Sequence, residues 1–312
     1  MKRLKTDQIE KEIRGAEPGT QVRSNAPMGE FCSFKTGGAA ALLIEPESPE
    51  ALGNVLRILH RQEFPVFIMG NGSNLLVKDG GFPGAIVKIG ERMSAVEIQG
   101  TKVRAQAGAL LSCIANRALE AGLTGFEFAA GIPGSIGGAA FMNAGAYDGE
   151  MKQAVEEVTV LSRDGSRFYT LRRDELEYGY RHSVLMETGD IVTEVLLRLE
   201  AGSRERIRAK MKELAARRAA KQPLQYPSAG SFFKRPPGHF AGGLIQDANL
   251  KGLKIGGARV SPLHAGFIIN EGGASAADIL NLMEAVRNTV YDRFGVWLEP
   301  EVRIIGIDSD EI

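Results

Sequence analysis

Apolar positions change their period along the chain in a way that divides it into elements. Residues 1–14 are polar with helical spacing and predict a short leading helix. ALLIEP (41–46) is a continuous apolar run, the pattern of a buried strand. Ser48 and Pro49 follow as N-cap and first-turn residue of a helix reaching about Gln62. PVFIMG (65–70) predicts the next strand, and NLLVKD and AIVKIG complete a first small α/β unit near residue 90. SAVEIQGTKVRAQAG (94–108) alternates across a glycine turn, so a hairpin opens a second unit. A helix over Leu110–Ala121, a hairpin around Asp164-Gly165 and the strand region DIVTEVLLRLEAG (190–202) complete that unit. Residues 203–221 predict a strongly basic helix, read most simply as a solvated helix between domains rather than a phosphate site. A third region, about 222–306, ends with a long helix from Ala274 to about Phe294 and a last strand, VWLEPEVRIIG. The resulting domains are 22–90, 91–202 and 203–306.

Composition changes this picture little. The 312 residues are 44% hydrophobic and 24% charged, ordinary for a globular chain. Lys plus Arg equals Asp plus Glu at 38 each, which argues against nucleic-acid binding through bulk charge. Cys32 and Cys113 fit no metal spacing, and neither do His60, His182, His239 and His264, so no metal is expected. His182 beside Arg181 either orients a site or packs. The charged N-terminus lacks the apolar region of a signal peptide, so a cytoplasmic protein away from membranes, with no obligate protein partner, is the expectation.

Two glycine-rich segments carry the candidate chemistry. GNGSNLLV (70–77) follows a predicted strand, but Gly70-x-Gly72-x-x-Leu75 lacks the third glycine of a dinucleotide fingerprint and has no Walker lysine. What remains is a tight turn with polar Asn71, Ser73 and Asn74, whose backbone N–H groups suit a diphosphate, although an ordinary turn fits equally well. AAGIPGSIGGAAFMNAGAY (129–147) holds five glycines, six alanines and no charge. So many glycines are unfavourable in a core helix, at about 1 kcal/mol each against alanine. Pro133, Ser135 and Asn143 interrupt it as a membrane span. Gly131, Gly134, Gly137 and Gly138 instead present bare backbone to a phosphate or a flat ring. Two such loops in neighbouring α/β units suggest one large diphosphate cofactor between them.

These blocks, with YGYRHS (178–183), AGSFFKRP (229–236), AGGLIQDANLKGLKIGGARVSPLHAGFIIN (241–270) and LEPEVR (298–303), resemble the UDP-N-acetylenolpyruvoylglucosamine reductase (MurB) family over nearly the whole chain. The resemblance implies an α+β fold. Two subdomains of the vanillyl-alcohol-oxidase (PCMH) type hold FAD non-covalently, and a C-terminal α/β domain binds substrate. It implies Gly70, Asn71, Gly72, Ser73, Asn74, Leu75, Gly131, Pro133, Gly134, Ser135, Gly137, Gly138, Asn143 and Gly145 as cofactor-binding positions. NADPH reduces the flavin, which then passes hydride to the enolpyruvyl ether of UDP-N-acetylglucosamine.

Negative charge developing on the substrate carboxylate calls for a preplaced cation or donor. By motif position Arg181 is that cation, its planar fork suiting a carboxylate. Glu301 is a second stabiliser and Ser231 the proton donor. Read without the family, Arg181 is an ion-pair arginine, Ser231 a turn residue and Glu301 part of a solvated edge with Glu299 and Arg303. Lys234 and Arg235 are candidates for the UDP diphosphate, against a reading as surface cations. Only a few residues separate RHSVL from the strand near 191, so the chain resembles the shorter members that lack a tyrosine-bearing lid insertion. Arg235 stands where some members have Asn. A flavin oxidase on the same scaffold often tethers its flavin through histidine, and neither glycine-rich loop contains one. The other alternative is a non-catalytic nucleotide-binding protein. Retention of Arg181, Ser231 and Glu301 together favours the reductase over both.

Overall fold

A computed structural model describes residues 2–311. The chain forms two compact units, each assembled from separated stretches. One comprises Met1–Ser24, Leu42–Asn71 and Gly84–Arg218, the other Asn25–Ala41, Gly72–Pro83 and Ala219–Ile312.

The first unit is built on a five-stranded antiparallel sheet. Its order is Phe168–Arg172, Val155–Leu161, Ile191–Arg198, Lys102–Gln106, Val96–Gln99. The two predicted hairpins supply its flanks, and the strand Ile191–Arg198 lies between them, with Glu194 opposite both Gln106 and Thr159. That central strand is buried at nearly every position because the short helix Ile136–Phe141 packs on it. Val66–Met69 pairs in parallel with Phe82–Lys88, Val66 opposite Ala85. The helix Pro49–Arg61 starts as its cap residues predict, with Ser48 Oγ accepting the Ala51 N–H at 3.1 Å. The leading helix is longer than expected, Lys2–Ala16, and less purely polar. Ile9 and Ile13 are fully buried against Pro49–Arg61, each burial contributing about 1.5–3 kcal/mol. A strand at Gln21–Pro27, not expected from the sequence, follows it.

The second unit has a small sheet in which Ala258–Val260 lies between Lys254–Ile255 and Ile268–Asn270. Its long helix runs Ala276–Phe294, two residues later than expected, because Ser275 closes a capping box. Ser275 Oγ accepts the Asp278 N–H at 3.0 Å, and Asp278 Oδ2 accepts the Ser275 N–H at 3.1 Å. Asp79 reaches the same helix end, its two carboxylate oxygens accepting the Ala276 and Ala277 N–H groups at 2.8 Å each. The core gathers Phe34, Leu76, Phe232, Ile279, Leu282 and Val286 from all three stretches. The expected strand 296–306 shrinks to Arg303–Ile305, paired in parallel with Leu75–Val77 so that Arg303 lies opposite Leu75. Pro300, which has no N–H to give a ladder, makes only an isolated bridge to Phe233.

Burial pushes the Cys32 thiol up to about 12, whereas Cys113 is exposed. Among the described residues no group of His, Cys, Asp and Glu could hold a metal ion, and no helix is long and apolar enough to cross a membrane.

Candidate active site

In the first unit the two glycine-rich loops meet at Ser135. This serine is the N-cap of the helix Ile136–Phe141, yet its hydroxyl makes no capping bond, is buried and has no hydrogen-bond partner among the described residues. It faces the bare Cα of Gly70, where a Cβ would fall on the hydroxyl, and a Cβ on Gly138 would lie 3.9 Å from it. Asn71 Nδ2 donates to the Pro133 carbonyl at 2.9 Å, which ties one loop to the other. The first two helix amides are already engaged, Ile136 N–H with Ala109 O and Gly137 N–H with Ala107 O. Gly137 owes its missing side chain to that neighbour, since a Cβ there would stand 2.7 Å from the Ala107 Cβ. The bare backbone predicted over 129–147 therefore does two things. Part of it makes room for the sheet, and Gly131, Pro133 and Gly138 stay exposed at the surface.

Six residues of the segment form a helix despite Gly137 and Gly138, because Ile136, Ala139 and Ala140 are buried in the unit's core. The Gly134 carbonyl accepts the Leu111 N–H at 3.0 Å. After the helix, Gly145–Ala146 and Gly149–Glu150 form a hairpin whose two turn residues, Tyr147 and Asp148, have φ of +51° and +66°. A Cβ on Gly145 would lie 2.9 Å from the Glu150 Cβ across this hairpin.

Asn143 is not placed to offer its side chain to a cofactor. It is fully buried; its two amide hydrogens go to Glu150 Oε2 at 2.8 Å and Gly179 O at 2.9 Å, and its Oδ1 accepts the Lys152 N–H at 2.9 Å.

Arg181 lies on a tight turn in which Gly179 and His182 exchange backbone hydrogen bonds at 3.2 and 3.4 Å. Its φ is +52°, a left-handed backbone that costs a non-glycine residue on the order of 1–3 kcal/mol. The guanidinium, at 3.4 Å from the Gly145 carbonyl, also lies near the ring of Tyr180. The neighbouring Ser183 is buried and donates to the Phe141 carbonyl at 2.5 Å, a second tie between this turn and the glycine-rich segment. His182 packs beside it, 3.5 Å from Glu187.

Two further residues of this unit gave no sign of a role in the sequence. Arg218, in the basic helix Arg204–Lys221, donates to the Gly131 carbonyl, and its burial lowers its pKa. Arg217 sits over the Tyr147 ring at 4.9 Å. Nothing in a run of like charges distinguishes the guanidinium that turns inward from those that stay solvated.

In the second unit Ser231 and Glu301 are brought together by a short ladder. The Glu301 N–H donates to Phe232 O and the Lys234 N–H to Glu299 O, both at 2.8 Å, with Phe233 bridging Pro300. Ser231 is one residue upstream and bridges Phe267 on the other side. Its hydroxyl is exposed and has no hydrogen-bond partner among the described residues. Glu301 is half-buried while Glu299 is exposed, so the solvated-edge reading of Glu301 does not describe its surroundings. The Glu301 carbonyl accepts from Asn74 Nδ2 at 3.1 Å. Asn74 and Leu75 thus connect the GNGSNLLV segment to the glutamate, and Leu75 is a buried strand residue. Gly72 (φ +66°) packs on 31–33, its carbonyl accepting the Ser33 N–H at 3.1 Å, with Ser73 half-buried beside it. Lys234 pairs with Glu299 at 3.4 Å, and Arg235 lies over the Phe240 ring at 4.7 Å.

A bound flavin nucleotide fits the first unit on one observation above all. Buried polar atoms in folded proteins are almost always hydrogen-bonded, and the Ser135 hydroxyl is not. A phosphate oxygen is the kind of partner it lacks, and the residue packed against it, Gly70, has no side chain to offer one.

A family model described as an FAD binding domain matches residues 40–170. Another, described as the UDP-N-acetylenolpyruvoylglucosamine reductase C-terminal domain, matches residues 222–305. The UDP-N-acetylenolpyruvoylglucosamine reductase of Clostridium perfringens strain 13 is 50% identical over 287 residues, 92% of this chain and 94% of that protein. The one from Caldanaerobacter subterraneus subsp. tengcongensis is 51% identical over 282 residues, 90% and 93% of the two chains. The crystal structure of the Thermus caldophilus enzyme superposes with a TM-score of 0.78 at 36% identity, covering 92% of this chain and 99% of that one. The fold is accordingly the expected α+β one, an FAD-binding scaffold with a C-terminal domain, and its cofactor is FAD. On these matches the chain belongs to the UDP-N-acetylenolpyruvoylglucosamine reductase family, FAD-containing oxidoreductases of peptidoglycan precursor synthesis.

Proposed function

We propose that the protein is a cytoplasmic enzyme that uses NADPH to reduce UDP-N-acetylglucosamine enolpyruvate to UDP-N-acetylmuramate. In this reading residues 22–90 and 91–202 are the two FAD-binding subdomains and 203–306 the substrate-binding domain. Gly70, Asn71, Gly131, Pro133, Gly134, Ser135 and Gly138 belong to the non-covalent FAD site. The observation that carries the chemical reading is the backbone ladder that holds Glu301 against Phe232, next in the chain to Ser231, whose exposed hydroxyl has no hydrogen-bond partner among the described residues.

When bound, FAD supplies a two-electron carrier that accepts hydride from NADPH and delivers it to one alkene carbon of the substrate. The chain's own task is to manage the charge that then develops on the other carbon and its carboxylate. Arg181 offers a planar pair of donors that a carboxylate accepts bidentately. Glu301, on a backbone fixed at both N–H and carbonyl, is the second group for the enolic oxygens. Ser231 gives its hydroxyl proton to the carbanionic carbon. A serine is a weak acid, so only a base of that strength draws the proton. Lys234 and Arg235 answer the charge of the UDP diphosphate.

The test is an anaerobic spectrum of the purified protein, reduced with NADPH and then given the enolpyruvyl substrate. Bleaching followed by return of the yellow colour is the expected result. In Ser231→Ala the bleaching stays normal and the return slows by about 10²–10⁴-fold, the usual contribution of a general acid. A wild-type protein that bleaches but regains colour only in oxygen has a different substrate. A Ser231→Ala protein with a normal return removes Ser231 from the reaction.

A further inference from the structure

The segment that follows the glycine-rich helix and the turn that carries Arg181 are joined in both directions. Asn143 Nδ2 donates into the turn, to the Gly179 carbonyl at 2.9 Å. Arg181 Nη2 approaches the Gly145 carbonyl at 3.4 Å, back into the segment. Both residues have left-handed backbones, φ +47° at Asn143 and +52° at Arg181. A residue rarely holds that conformation unless its surroundings over-determine it. Asn143 is itself tightly fixed. It is fully buried, its second amide hydrogen goes to Glu150 Oε2, and its oxygen accepts the Lys152 N–H. Glu150 is held in turn by Lys152 at 2.7 Å.

We propose that Asn143 is a positioning residue for Arg181: by holding the Gly179 carbonyl it fixes the turn whose left-handed residue aims the guanidinium. This rests on the reading of Arg181 as the group that meets the substrate carboxylate. It differs from a role in holding FAD, because the asparagine's amide hydrogens and oxygen are all engaged within the protein. An asparagine suits the task where aspartate does not. Two donors are needed, toward a carbonyl and a carboxylate, and aspartate has none at neutral pH.

The experiment uses the full-length, flavin-loaded protein and separates the two half-reactions under anaerobic conditions. The variants are Asn143→Ser, Asn143→Gly, Arg181→Ala and the double variant Asn143→Ser/Arg181→Ala. Flavin content and the rate of flavin reduction by NADPH should stay within about twofold of wild type in Asn143→Ser. Reoxidation at saturating enolpyruvyl substrate should slow by at least about tenfold. In the double variant it should be no slower than in Arg181→Ala alone, the non-additivity expected when one residue acts through the other. If Asn143→Ser does not fold, Asn143→Gly carries the same expectations, since glycine takes the left-handed backbone without strain and removes both donors.

Reoxidation at the wild-type rate, equal loss in both half-reactions, loss of flavin, or additive effects in the double variant would overturn the assignment of Asn143. If Arg181→Ala is slow and Asn143→Ser is not, only that assignment falls. If Arg181→Ala itself reoxidises normally, the reading of Arg181 falls and the role of Asn143 with it.

Discussion

The hydroxyl of Ser135 faces the bare Cα of Gly70, and among the described residues no atom accepts or donates a hydrogen bond to it. A helix N-cap serine ordinarily uses its oxygen to satisfy the helix's own amides. Here the Ala107 and Ala109 carbonyls do that work, and the hydroxyl is left for something else. Ser135→Ala should therefore fold normally and bind FAD more weakly, by about 10–100-fold if the lost bond is to a charged oxygen. Reconstitution of the apoprotein followed by flavin fluorescence measures this. Unchanged affinity would separate Ser135 from the cofactor.

Asp79 predicts a stability effect with no effect on chemistry. Its carboxylate accepts two N–H groups at the start of the helix Ala276–Phe294, where the helix dipole also favours negative charge. Asp79→Ala should lower the stability of the second unit by about 1–2 kcal/mol, the usual loss for a cap. A urea unfolding curve read from Trp297 fluorescence reports it. A midpoint unchanged from wild type would mean that the capping box at Ser275 suffices alone.

His264 predicts a pH dependence. Burial holds this histidine below its ordinary range, opposed by its own backbone hydrogen bond and reinforced by Lys251 and Lys221. Its Nδ1 accepts the Gly266 N–H at 3.1 Å, a bond that the protonated ring cannot make. The folded state thus favours the neutral form and binds fewer protons than the unfolded chain. The contribution is present above the unfolded pKa of about 6.5 and is lost as pH falls through the lower folded value. Melting temperatures between pH 7.5 and 5.5 should fall more steeply for wild type than for His264→Gln. Parallel curves would count against it.

What could be read from the sequence, and what could not, follows the range of the interactions. Ser48 and Pro49 mark their helix because a cap is made by neighbours, and the alternation in 94–108 marks its hairpin for the same reason. Ser231 and Glu301 lie seventy positions apart, and only the motifs around them announced a shared role; the ladder through Phe232 brings their backbones close, a long-range pairing that no local pattern encodes. Asn143 was legible as a polar residue in a bare segment. Its partners, Gly179, Glu150 and Lys152, were not, because nothing local says which carbonyl a buried amide will find. Arg218 was hidden inside a helix whose composition speaks for solvent.

The parallel pairing of Leu75–Val77 with Arg303–Ile305 sets a timetable for biosynthesis. Leu76 is fully buried in the folded protein, yet its partner strand leaves the ribosome more than two hundred residues later. At ordinary translation speeds the roughly 230 residues between them take on the order of 10–50 s to make. For that interval three apolar residues wait without their neighbour, next to Phe34, whose ring partner Phe232 is also still to come. Lys78 and Asp79 close the waiting strand with charge, the kind of flank that discourages pairing with other chains. The nascent protein is therefore exposed to misassembly in the unit that holds Ser231 and Glu301, which closes only once both of these distant stretches have been made.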